Sequence, residues 1–243
     1  MKRILLEVWG LATAILLLSV PSWAASDPDA LCQGHRLDAV ALYAKKVLYC
    51  WAHAAKARDT EADEGCIAEA SAQLDARWTA ADPHGTGCNS GAELEDILAL
   101  IGGDCIHVDG GIDEVISGVL WGGDGEPGNE DDPIDLEDPS ARTLADELLK
   151  ASGEKAFELL KANAQDVQRP NSRKLASKIS KAQAKFMRQA KKAMSKAQRK
   201  GVMYEGATAE DLEAIIDEMV DDIVETIQES PEPHEPFDSG NPW

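Results

Sequence analysis

Residues 29–58 read DALCQGHRLDAVALYAKKVLYCWAHAAKAR. Leu31, Leu37, Val40, Ala41, Ala44, Val47, Leu48 and Trp51 recur at three- and four-residue steps, the period of one face of an α-helix. Cys32 and Cys50 are 18 residues apart. Eighteen residues make five full turns, so the two cysteines share a face but stand about 27 Å apart. A disulfide needs Cα atoms within about 7 Å, so the pair cannot bond while this helix is intact. Residues 59–65 are charged and polar and suit a turn. A second helix is predicted over residues 66–81, with Ile67, Ala70, Leu74 and Trp78 facing inward. Asp82-Pro83-His84-Gly85 ends it. An antiparallel hairpin then brings Cys50 to Cys66 beside the turn and Cys32 to Cys88 at the open end. A third helix is expected near residues 92–101, as a cap on the hairpin.

All five cysteines lie between positions 32 and 105. In an oxidising compartment they read as a disulfide framework confined to the N-terminal half. Cys105 is left as a free thiol. It is either an unpaired cysteine without special role or the source of an intermolecular or mixed disulfide. Cys32-Gln33-Gly34-His35 and Cys50-Trp51-Ala52-His53 both have C-x2-H spacing, but five turns apart they cannot share one zinc ion.

Residues 31–105 resemble an uncharacterised group of secreted bacterial proteins with Ala/Lys-rich helical hairpins and regularly spaced cysteines. Cys32, Ala44-Lys45-Lys46, Leu48-Tyr49-Cys50, Cys66, residues 68–72 and Cys88 carry the likeness. It implies secretion and a helical fold, and no activity. The start of the chain agrees with secretion. Lys2 and Arg3 precede the apolar run at 8–20, Pro21 breaks that run, and Ser22-Trp23-Ala24 supplies small residues at the two positions a signal peptidase reads. Residues 1–24 are expected to be a signal peptide cleaved after Ala24. The apolar run of 13 residues is too short to span a bilayer, which takes about 20.

The chain has 243 residues, of which 44% are hydrophobic and only 5% aromatic. Alanine and leucine with few aromatics favour helices over a β-sandwich. The formal charge is −20, from 24 basic and 44 acidic residues. That argues against a general nucleic-acid binder and against a protein held on anionic membranes.

The charge is distributed in blocks. No Lys or Arg occurs over residues 78–141, which hold 16 acids. No Asp or Glu occurs over residues 167–204, which hold 12 Lys or Arg. Residues 205–243 again lack Lys and Arg and hold 13 acids. The basic block predicts an amphipathic helix over residues 172–200. Leu175, Ile179, Ala182, Phe186, Ala190, Ala193 and Ala197 form its apolar stripe. Phe186 is its one aromatic residue, so no platform for stacking bases exists. A last helix is expected over residues 208–230, with Leu212, Ile215, Ile216, Met219, Ile223 and Ile227 on one face. The simplest arrangement is an antiparallel pair that lays Lys185, Arg188 and Lys192 against Asp217, Asp221 and Asp222. The alternative is an anionic partner, an unknown protein, with no role for nucleic acid.

Residues 121–140, WGGDGEPGNEDDPIDLEDPS, read as an acidic Gly/Pro-rich linker. The alternative is a Ca²⁺ site built from Asp124, Glu126, Glu130, Asp131, Asp132 and Asp135, since Ca²⁺ takes six to eight oxygen ligands. The EF-hand order is absent. Otherwise no cofactor is implied. No G-x-S-x-G, H-E-x-x-H, P-loop or dinucleotide fingerprint occurs.

The expected organisation is all-α. After the signal peptide comes a disulfide-stapled helical half (25–120), then the linker, a second helical half (141–230) and a Pro-rich disordered tail (231–243). A shift of 112 residues aligns Leu37, Ala44 and Leu48 with Leu149, Ala156 and Leu160. Any two amphipathic helices share Ala and Leu, so a degenerate internal repeat stays an open reading. The expected function is a secreted or periplasmic, non-catalytic helical binding or structural module. A Ca²⁺-responsive module and an enzyme of unidentified type are the alternatives.

Overall fold

The computed structural model describes residues 27–59, 61–82, 88, 92–102, 111–121 and 134–229. Among them lie seven α-helices and no strand: α1 (Pro28–Ala57), α2 (Glu64–Ala81), α3 (Leu94–Ile101), α4 (Ile112–Leu120), α5 (Pro139–Gln168), α6 (Ser172–Gln198) and α7 (Ala209–Gln228). The expected signal peptide, Cys105 and the C-terminal tail lie outside the described residues.

The helix ends have local causes. α1 and α5 each begin with an Asp-Pro pair. Asp27 accepts the Asp29 N–H, and Asp138 accepts the Ser140 N–H at 2.7 Å. In each case Pro occupies a position whose N–H would have no helical partner. Asp63 caps α2 by accepting the Cys66 N–H at 2.9 Å. Thr208 and Asp211 cap α7 reciprocally.

Two hairpins, α1–α2 and α5–α6, pack through their first helices. Leu37, Val40, Ala44, Val47, Leu48 and Trp51 of α1 and Leu144, Leu148, Leu149, Ala156 and Leu160 of α5 are buried in one continuous core. Gly153 sits in tight contact with α1: a Cβ there would stand 3.3 Å from both the Leu48 Cβ and the Lys45 carbonyl oxygen. α7 lies across this pair and buries Leu212, Ile216, Met219, Val220, Ile223 and Ile227. The 25–120 and 141–230 halves therefore share one core.

Disulfides join Cys50 to Cys66 beside the α1–α2 turn and Cys32 to Cys88 at the other end of α1. Their Cα separations are 5.9 and 5.7 Å. Cys32, Cys88 and Ala81 form a small satellite cluster apart from the main core. None of the described helices is long and apolar enough to cross a membrane.

α4 has no counterpart among the predicted helices. It spans nine residues, has Gly111 as its cap and carries β-branched Val115, Ile116 and Val119 on its buried side. A stretch that short and β-branched does not declare itself by period.

Candidate binding surface

The most heavily charged surface lies on α6. Asn171 starts the helix by accepting the Lys174 N–H at 3.0 Å, and the Asp166 carboxylate accepts the Asn171 N–H at 2.6 Å. The buried stripe is Ala182, Phe186, Ala190, Ala193 and Ala197. Small side chains at four of these five positions let α6 sit close to α5.

The lysines flanking that stripe reach mainly to α5. Lys185 bonds Glu158 at 2.5 Å and lies 3.5 Å from Glu154, and Lys196 bonds Glu147 at 2.5 Å. Lys191 reaches α7, bonding Glu210 at 2.7 Å. This corrects the expected pairing with α7. Lys185 turns to α5, and Asp217 is taken by Lys155 at 2.8 Å. Arg188, Lys192, Asp221 and Asp222 have no ion-pair partner among the described residues. Burial and the neighbouring Asp217 and Asp222 carboxylates push the Asp221 carboxyl above its ordinary range. The physical reason is the position of α5. It lies between α1 and α6 and presents its own acids to the Lys row, while α7 docks by its apolar face.

On the outward side of α6, Arg173, Lys174, Lys181, Arg188 and Lys192, with Arg199 and Lys200 just past its end, are solvent-exposed, and none forms an ion pair among the described residues. No large hydrophobic side chain is exposed beside them on α6; the exposed ones in the described chain are Leu31 and Met203.

A second polar cluster lies where α1, α5 and α6 meet. Glu154 accepts the Tyr49 hydroxyl at 2.8 Å and pairs with Lys45 at 2.6 Å. Burial alone would raise its pKa. The Lys45 and Tyr49 hydrogen bonds and the Lys45 and Lys185 charges outweigh that, and Glu154 sits below the usual carboxylate range. Burial, with Glu154 and Asp146 beside it, pushes the Tyr49 phenol up to about 12.

Of the expected Ca²⁺ ligands, Asp124, Glu126, Glu130, Asp131 and Asp132 lie outside the described residues. Asp135 accepts the Glu137 N–H at 2.8 Å in the turn ahead of α5. Among the described residues no group of His, Cys, Asp and Glu is arranged to hold a metal ion. Cys32 and Cys50 are consumed by disulfides, so their C-x2-H pairs offer no thiolate. A shallow depression between Ser140, Thr143 and Glu147 of α5 and Ala193 and Lys196 of α6 has no room for a water molecule.

No protein-family model matches the chain, and no curated protein or solved structure matches it either.

Proposed function

We propose that the chain is a secreted, non-catalytic helical binding module whose working surface is the outward row of α6. The observation that carries this reading is the seven exposed cations without carboxylate partners among the described residues, on a chain of net charge −20. Among the described residues Glu147, Glu154 and Glu158 hold the flanking lysines, Asp217 holds Lys155, and no carboxylate pairs with the row. An acidic protein surface is the partner that fits. The row has no aromatic side chain to stack bases and no exposed large apolar side chain to enter a bilayer. Two disulfides suit an oxidising compartment, in agreement with the leader-like residues 1–24.

Poly-L-glutamate immobilised on a resin tests the reading. The full chain is expected to be retained at about 0.15 M salt and released as screening grows. Substituting Arg188, Lys192 and Arg199 by Gln should abolish retention without changing the helical circular dichroism. Passage of the full chain straight through the column at that salt overturns the proposal.

A further inference from the structure

The seam between α5 and α6 is a ladder of charge pairs that loses its acidic side at one end. On α5 the edge toward α6 carries Glu147, Glu154, Glu158, Lys161 and Gln165. Their spacings of seven, four, three and four residues keep them on one helical face. α6 runs back along it. Glu147 holds Lys196 at 2.5 Å, and Glu158 holds Lys185 at 2.5 Å. One heptad beyond Lys185 stands Lys178, and its ammonium donates to the neutral amide oxygen of Gln165. One turn before Gln165 the edge carries Lys161, where another acid would continue the ladder. Lys174 lies one turn from Lys178 on the same face of α6.

Three ammonium groups from two helices thus face one end of the seam, and none forms an ion pair among the described residues. The acids nearby are Asp166 and Asp38. Asp166 accepts the Asn171 N–H at 2.6 Å. Asp38 of α1 feels the Lys161 charge, but burial raises its carboxyl pKa. Phe157, whose ring lies 5.1 Å from the Lys161 ammonium, supplies only its face. Burial and the repulsion of Lys174 and Lys161 hold the Lys178 pKa below the ordinary lysine range. The first turn of α6 adds its positive dipole end.

We propose that Lys161, Lys174 and Lys178, with the Gln165 amide, form a binding site for a phosphate group. A phosphate monoester carries nearly two charges and three peripheral oxygens, one for each ammonium group, whereas a carboxylate has two oxygens and one charge. The ligand is either free phosphate or a phosphate headgroup. The site shares Lys174 with the outward row of α6, but its test rests on Lys161 and Lys178, which the poly-L-glutamate test leaves untouched.

The test is thermal unfolding of the full chain in inorganic phosphate, with sodium chloride holding ionic strength constant. At about ten times the dissociation constant the melting temperature should rise by about 3–5 °C. The rise should vanish in the K161Q/K178Q double variant and persist in K56Q, which alters an exposed lysine in the last turn of α1. Without phosphate, K178Q should melt no lower than the parent chain, since it relieves repulsion. A phosphate-induced rise that persists undiminished in K161Q/K178Q, or no rise in the parent chain, overturns the site. Flotation with phosphatidic acid vesicles, against phosphatidylcholine vesicles, separates the sources. Capture that K161Q/K178Q abolishes identifies a headgroup, and a phosphate response without capture identifies the free anion.

Discussion

The Lys155 ammonium lies 2.8 Å from Asp217 Oδ1, and its side chain has no exposed surface. It also donates to the Glu213 carbonyl oxygen at 2.7 Å and lies 5.2 Å from the centre of the Phe186 ring. One α5 side chain thereby holds α7 and touches α6. Burial lowers its pKa, and the Asp217 and Glu213 carboxylates oppose that. Breaking a fully buried pair costs about 3–5 kcal/mol, but Asp217 is partly exposed and also accepts from Gln183, so the loss here should be about 2–3 kcal/mol. Lys155→Ala should destabilise the chain by about that amount in urea unfolding. Lys155→Met keeps the stem's packing, so it should cost clearly less. Equal losses in the two variants would show that the ion pair, and not the stem, holds α7.

The disulfides differ in the loop they close: 16 residues for Cys50–Cys66 and 56 for Cys32–Cys88. Chain entropy assigns them about 3 and about 4 kcal/mol respectively. Replacing Cys32 and Cys88 by Ala should therefore lower stability more than replacing Cys50 and Cys66. Urea midpoints of the two double variants decide the order. Peptide mapping without reduction should return only these two pairings among the four cysteines.

Tyr49 ionises near 12 instead of near 10. Burial and its hydrogen bond to Glu154 favour the neutral phenol in the folded state. A raised folded-state pKa means that the associated stability is present below pH 10 and is lost as pH climbs toward 12. Tyr204 is pushed up as well, by burial and by Asp211. Absorbance at the tyrosinate band should thus show late ionisation of both residues, coincident with alkaline unfolding. In Tyr49→Phe the stability loss between pH 10 and 12 should become smaller. A normal titration for the phenol at 49 would contradict its contact with Glu154.

Gly153 of α5 packs against Leu48 and Lys45 of α1. Ala gains about 1 kcal/mol in helix propensity over Gly, and here it must push Leu48 and the Lys45 carbonyl by a few tenths of an ångström. Gly153→Ala should accordingly fall within about 1 kcal/mol of the parent. Gly153→Leu has nowhere to put its branch and should cost about 3 kcal/mol or more, by denaturant unfolding.

Periodicity and distance rules were sufficient for several elements. The stripe through Leu37, Ala44, Val47 and Trp51 marked α1, the 18-residue Cys32–Cys50 separation forbade a bond along it, and the charge blocks outlined α6 and α7. These are local facts, since a helix period and a Cα limit follow from neighbours along the chain. The tertiary structure decided what no local pattern contains. An apolar stripe says which face is covered, not which helix covers it. α1 and α7 both pack against α5, and the Lys row of α6 met the acids of α5 before those of α7. Lys155 reads in sequence as one more solvated lysine between Glu154 and Ala156. Only the crossing of α5 by α7 removes it from water and makes Asp217 and the Glu213 carbonyl its partners.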